Sequence, residues 1–185
     1  MPRPPRRLPP EGMIHLISRS NNQVALCKDE QDFTALKKRL SHYTQFYEIK
    51  VHHYVIMRTH VHMLAFVQAT SHLPLFFKAF QISYFHYFKK KYGYSGHLWH
   101  GRYRSVPVFQ NIHSLQAGRY IELNPVKALV AKHPSDYPWC SYHFYAHGRE
   151  DILVTTNPQY LDWGDSQKDR CKKYRSFIMS DGYFE

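Results

Sequence analysis

Acidic residues are missing from the middle of this chain. Between Glu48 and Glu122 there is no aspartate or glutamate. The same 73 residues carry nine cations: Lys50, Arg58, Lys78, Lys89, Lys90, Lys91, Arg102, Arg104 and Arg119. The gap excludes paired-carboxylate catalysis within the stretch, and equally an all-oxygen carboxylate metal cage. Long apolar runs are missing too, and none approaches the roughly 20 residues that a membrane-spanning helix needs. The opening MPRPPRRLPP is basic and proline-rich with no apolar segment behind it, so it does not read as a secretory signal. Cysteine is scarce: Cys27, Cys140 and Cys171 are odd in number, widely spaced and form no Cys-x-x-Cys. That favours reduced thiols in a cytoplasmic protein over a disulfide scaffold or a zinc ribbon. No internal repeat is present.

What is there describes a folded, basic protein. The chain has 185 residues, 43% of them hydrophobic and 16% aromatic, enough for a real core. The organisation expected is a flexible basic arm (1–11), a single domain (12–150) and a C-terminal tail (151–185). The formal charge is +11 and the pI near 9.6. Such a balance suits a polyanionic partner, nucleic acid or an anionic membrane surface. A surface built from the acid-free stretch would be uniformly positive and would suit phosphate contacts.

Residue periodicity predicts strands over 12–18, 48–57, 60–68 and 104–110, the last carrying a proline and so placed at a sheet edge. Asp29, with Asp32 three residues on, is a helix N-cap; Phe33, Leu36, Leu40, Tyr43 and Tyr47 then recur at helical spacing. A second helix runs from Ser71 to about Lys91, with Pro74 tolerable in its first turn and Gly93 and Gly96 at its end. Further helices are expected over 112–124, stopped by Pro125, over 135–148 and near 166–180. The order β-α-β-β-α-β is the ferredoxin-like split βαβ of the α+β class. In it the first and third strands are central, and the helices lie on one face of an antiparallel sheet. A tyrosine-bearing helix and a helical tail follow.

The stretch RTHVHMLAF (58–66) carries the first candidate site. Side chains at i and i+2 of a strand share a face, so His60 and His62 can converge on one ion. Two histidines lining a polar patch is the plainer reading of a bare His-x-His. In RYIELNPV (119–126), Tyr120 and Asn124 stand at i and i+4 on one helical face. Taken alone, Tyr120 reads as packing and Asn124 as capping the helix before Pro125. The loop KKKYGYSGHLWHGRYRS combines Lys89, Lys90 and Lys91 with Trp99, Arg102, Tyr103 and Arg104, cations and stacking rings that suit single-stranded DNA. Arg119 adds to the same basic surface, and Arg3, Arg6 and Arg7 of the arm would reach an adjacent groove.

In combination these motifs resemble the HUH single-tyrosine transposases, and more closely the REP-associated tyrosine transposases of bacteria. The resemblance runs from about Met13 to Trp163, through HLISRSNNQ, VIMRTHVHML, SGHLWHGRYRS, RYIELNPVKALV and SDYPWCSYHFY. It implies His60, His62 and Asn124 as ligands of a divalent metal, Mg²⁺ or Mn²⁺, and Tyr120 as the nucleophile. It further implies single-stranded or hairpin DNA as the partner, cut through a 5′-phosphotyrosine intermediate. No membrane and no small-molecule cofactor is expected, and the protein would be a monomer or homodimer in the bacterial cytoplasm, associated with the nucleoid. Where the family usually reads Pro-Asn before the first histidine, this chain has Arg58-Thr59; for Arg-Ala-Gly after Asn-Pro-Val it has Lys127-Ala128-Leu129. The alternative is a non-catalytic hairpin DNA or RNA binder on the same fold, since Ala65-Phe66-Val67 matches part of the RNA-recognition strand signature. His62, Met63 and Leu64 do not match the rest of it.

Overall fold

The structure, a computed structural model, describes residues 8–108 and 112–180. Arg3, Arg6 and Arg7 of the expected arm, and the last two residues of the expected 104–110 strand, lie outside the described residues.

Four strands, β1 (Gly12–Arg19), β2 (Ile49–Ile56), β3 (His60–Val67) and β4 (Arg104–Pro107), form one antiparallel sheet in the order β2-β3-β1-β4. The first and third strands are central, as the ferredoxin-like order requires. β4 pairs with β1 and ends at Pro107, the edge position that a residue without an N–H tolerates. Two helices, α1 (Glu30–Phe46) and α2 (Leu73–Tyr92), cover one face. Asp29 caps α1, its carboxylate accepting the Asp32 N–H at 3.0 Å. Pro74 sits in the first turn of α2, and Gly93 ends it at φ 63°, a left-handed conformation that costs a glycine little. On this side Val61, Met63, Ala65 and Val67 of β3 pack with Leu36, Leu40, Phe76, Phe80 and Tyr84.

The opposite face is covered as well. It meets α3 (Ile112–Glu122), α4 (Asn124–Lys127), α5 (Tyr142–His147), α6 (Pro158–Leu161) and α7 (Gln167–Met179). There Met13, Val55 and Leu64 pack with Leu115, Ile121, Tyr145, Tyr160, Tyr174 and Phe177, so residues beyond 150 contribute to a second core. Two expectations about helix limits change. Pro125 does not simply stop a helix: α3 breaks at Leu123, and Pro125 stands in the first turn of α4, where no N–H is needed. The expected 135–148 helix divides into a 3-10 turn (Pro134–Asp136) and α5, because Tyr137 precedes Pro138 and is held extended at φ −115°, ψ 106°. The four-residue α6, opened by Asn157 and Pro158, was not signalled by periodicity.

A buried polar network joins β2, α3, α5 and α7. The Glu122 carboxylate is fully buried and accepts from His53 Nδ1 at 3.0 Å, Ser141 Oγ at 2.5 Å and Tyr174 Oη at 2.9 Å. A β-bulge at His52 turns His53 toward α3, where a Cβ on Gly118 would lie 2.6 Å from the imidazole ring. Only glycine lets α3 approach this closely. The network therefore fixes both the height and the rotation of the helix that carries Tyr120.

The three cysteines are buried and unpaired, and burial pushes the Cys27 thiol up to about 12. Among the described residues no helix is long and apolar enough to cross a membrane. His52 gives the fold a pH dependence. Its Nδ1 donates to the Thr155 carbonyl at 2.9 Å; burial, outweighing that bond and reinforced by His53 and Lys50, lowers its pKa from 6.5 to about 4. With the folded pKa below the unfolded one, the unfolded chain binds more protons between pH 6.5 and 4, and stability falls as pH drops through that window. His52→Asn keeps a donor for Thr155 without a titrating group. Melting curves from pH 7 to pH 4 should show the variant losing less stability than wild type, by on the order of 2–3 kcal/mol. Parallel curves would remove His52 from the acid response.

Candidate active site

His60 and His62 stand on one face of β3, and across the strand pair His15 of β1 joins them. The His60 and His62 ring centroids are 5.0 Å apart, and those of His62 and His15 are 5.2 Å apart. Beyond His15 lies Tyr120 of α3, set edge-on with the ring centroids 6.1 Å apart. The four rings form a row running from the start of β3 to the tyrosine helix. Tyr120 is 47% exposed, unlike most tyrosines of this chain that the second core holds, and Lys127 Nζ sits 4.4 Å from its ring centroid. Network contacts through Glu122, two residues on and directed to the other side of α3, leave Tyr120 facing outward.

Burial and neighbouring cations keep the histidines neutral. The His62 pKa falls to about 3 through burial and the nearby His60, His15 and Arg19. That of His15 falls to about 4 through burial and Arg104, and that of His60 is lowered by burial and Arg19. Neutral imidazoles keep the lone pair that metal ligation requires. Each histidine of the pair uses Nδ1 for a local contact: His62 with His15 Nε2 at 2.9 Å, and His60 with Thr59 Oγ1 at 3.0 Å. Among the described residues, no three His, Cys, Asp or Glu side chains converge as a metal-holding group. The donor set present is thus two imidazoles, which fit a divalent ion that keeps open positions.

Asn124 directs its amide nitrogen back into the last turn of α3, donating to the Tyr120 carbonyl at 2.8 Å and the Ile121 carbonyl at 3.2 Å. These bonds turn the amide oxygen away from the helix backbone. His15 was missed by sequence reasoning. Its signal was the alternation of Met13, His15 and Ile17, but placing it beside His62 needs the β1–β3 register.

Of the residues expected to meet DNA, Lys89, Lys90, Arg102 and Arg104 are exposed. The other four are held by the protein itself. Lys91 Nζ bonds Asp29 at 2.7 Å and Asp32 at 2.8 Å, so its charge is neutralised within the fold. Trp99 donates to the Gln81 carbonyl at 3.0 Å and packs on Phe80 and Tyr84. Tyr103 is buried, stacked on Phe77 at 3.9 Å. Arg119 donates to the carbonyls of Ile178 and Ser180, tying α3 to the end of α7. Beside Trp99, an open cleft of about 730 Å³ is lined by Lys78, Gln81, Phe85, His97 and Arg102.

A ferredoxin-like sheet that sets a histidine pair beside an exposed helical tyrosine, on a basic chain, is the framework of a DNA-processing transposase. The chain belongs to the IS200-like transposase family, whose model matches residues 10–124. Among solved structures, a REP-associated tyrosine transposase bound to a REP hairpin superposes with a TM-score of 0.68. The match covers 85% of this chain and 93% of that one, at 16% identity, and shows a shared fold. A Deinococcus radiodurans R1 protein described as a candidate transposase is 19% identical over 65% of this chain and 95% of its own, with a TM-score of 0.44. No curated protein matches the chain.

Proposed function

We propose that this transposase is a metal-dependent single-stranded DNA endonuclease and strand transferase that acts on hairpin DNA of the repetitive extragenic palindrome type. Its nucleophile is Tyr120, and the observation that carries the reading is the exposed Tyr120 ring at the end of the His60–His62–His15 row. The complex of the structurally similar REP-associated transposase with a REP hairpin supports the choice of substrate.

In this reading Tyr120 Oη attacks a backbone phosphorus, the P–O3′ bond breaks, and the phenol proton passes through solvent to the departing oxygen, leaving a 5′-phosphotyrosine and a free 3′-hydroxyl. A later 3′-hydroxyl attacks the phosphotyrosine, releasing Tyr120 and rejoining DNA without an external energy source. His60 and His62 would hold Mg²⁺ or Mn²⁺, with the Asn124 amide oxygen as a third donor. When bound, that ion supplies charge stabilisation at the scissile phosphate and the departing oxygen. Exposed Lys89, Lys90, Arg102 and Arg104 supply sequence-independent phosphate contacts.

The test is a denaturing gel of labelled hairpin DNA incubated with protein and Mn²⁺. Wild type should give a covalent protein–DNA adduct. His60→Ala and His62→Ala should each lower adduct formation by more than the ~10–100-fold typical of losing a group that only supports a ligand, because each removes a ligand outright. Undiminished hairpin binding with no adduct from wild type would instead define a non-catalytic binder.

A further inference from the structure

Beyond the metal pair lie the two groups that touch it. We infer that His15 and Thr59 are positioning residues that set the tautomers of His62 and His60, so that each presents its Nε2 lone pair to a divalent cation; this rests on the metal reading above.

A neutral imidazole carries one proton on two nitrogens, and the nitrogen that keeps it is set by the hydrogen bond the ring makes. His62 places Nδ1 2.9 Å from His15 Nε2, and His60 places Nδ1 3.0 Å from Thr59 Oγ1. Both partners can accept: a ring nitrogen with its lone pair in one case, a hydroxyl oxygen in the other. With the protons on Nδ1, both Nε2 atoms are bare. The opposite tautomer would put a proton on Nε2 of both rings and close the site to any cation. Metal-bound histidines are generally held this way, by a partner that accepts their other N–H.

Two features assign His15 to this role and not to metal ligation. Its Nε2 is aimed at the His62 Nδ1 at hydrogen-bond distance, and the N–H donated between the two rings leaves no space there for an ion. Among the described residues it also adds no third member to a metal-holding group. The placement is built by the fold. β1 and β3 pair antiparallel with Ile17 opposite His62, which puts His15 one step along the same face. Thr59 is held by the backbone of β1's end, its carbonyl accepting the Ser20 N–H at 2.8 Å.

The experiment reads protonation and metal affinity without DNA. Long-range ¹⁵N–¹H spectra of the full chain with Mg²⁺ should show His60 and His62 as Nδ1–H tautomers. Mn²⁺ titration followed by electron paramagnetic resonance should show affinity falling about 10–100-fold in His15→Leu and in Thr59→Val. His15→Gln and Thr59→Ser each retain an acceptor and should stay near wild type. The nitrogen couplings of bound Mn²⁺ should report the same number of imidazoles in wild type and His15→Gln. One imidazole fewer in His15→Gln would make His15 a ligand and overturn the inference, as would His62 protonated on Nε2 in the Mg²⁺-loaded protein. A wild type that binds no Mn²⁺ would overturn the metal reading itself; the ring tautomers of wild type and His15→Leu, compared in metal-free protein, would then decide whether His15 sets that of His62.

Discussion

Tyr120→Phe should abolish hairpin cleavage, by a factor on the order of 10⁴ or more, while leaving hairpin affinity near wild type. The variant loses only the oxygen that attacks phosphorus. The ring stays, and with it the edge-on packing against His15, centroids 6.1 Å apart, and the Lys127 cation 4.4 Å from its centroid. No positive charge leaves the DNA face, so phosphate contacts and their salt dependence should be unchanged. Cleavage and binding are measured on the same labelled hairpin, one by adduct on a denaturing gel and the other by a salt series of binding isotherms. An adduct at wild-type level would move the nucleophile to another of the fifteen tyrosines. Most of those are poor substitutes. Tyr54, Tyr84, Tyr142, Tyr145 and Tyr174 are fully buried, and burial pushes each phenol further from ionisation.

Glu122→Ala should be the most destabilising single substitution on the tyrosine helix. Its carboxylate is the common acceptor for His53, Ser141 and Tyr174, all buried. Ser141 Oγ can still donate to the Tyr54 carbonyl at 3.3 Å, but the His53 and Tyr174 donors lose this acceptor in a site closed to bulk water, each at a cost of about 1–3 kcal/mol. The loss expected is about 2–5 kcal/mol for the buried donors together. Typical domains hold only about 5–15 kcal/mol in all, so the variant should unfold at much lower urea. Glu122→Gln keeps an acceptor oxygen and should cost less. A shift in stability under about 1 kcal/mol for the alanine variant would show that the four groups are not a single network. Because α3 hangs on these contacts, Glu122→Gln should also slow cleavage more than it weakens hairpin binding.

The electrostatic reading of the sequence was right about composition and incomplete about surface. Nine cations in an acid-free stretch suggested a uniformly positive face. In the fold, acids from outside the stretch come back to it. Asp29 and Asp32 take Lys91, and Asp32, wholly buried, also accepts from Tyr87 at 2.8 Å and Tyr92 at 2.6 Å. A residue some 60 positions away cannot be paired with Lys91 by any local pattern. Arg119 is drawn to the end of α7 in the same way. Of the nine, Lys91 and Arg119 are taken up in this way, while Lys50, Arg58, Lys78, Lys89, Lys90, Arg102 and Arg104 remain exposed.

Short-range patterns were enough for the parts of this protein that short-range physics builds. Alternation over HVHMLAFV put His60 and His62 on one face. The Asp29 cap opened α1, Pro107 marked the edge strand, and the order of elements led to the sheet with β1 and β3 at its centre. Each follows from contacts within a few residues, or from the few ways such elements can connect. Tertiary structure alone decided the rest. It placed His15 against His62 across a strand pair, 47 residues apart in the chain. It also seated Gly118 against His53, turned Glu122 inward and left Tyr120 out. Those placements depend on strand register and on which side chains fill one another's space. Both are settled by the packing of the whole core, which a one-dimensional pattern does not carry.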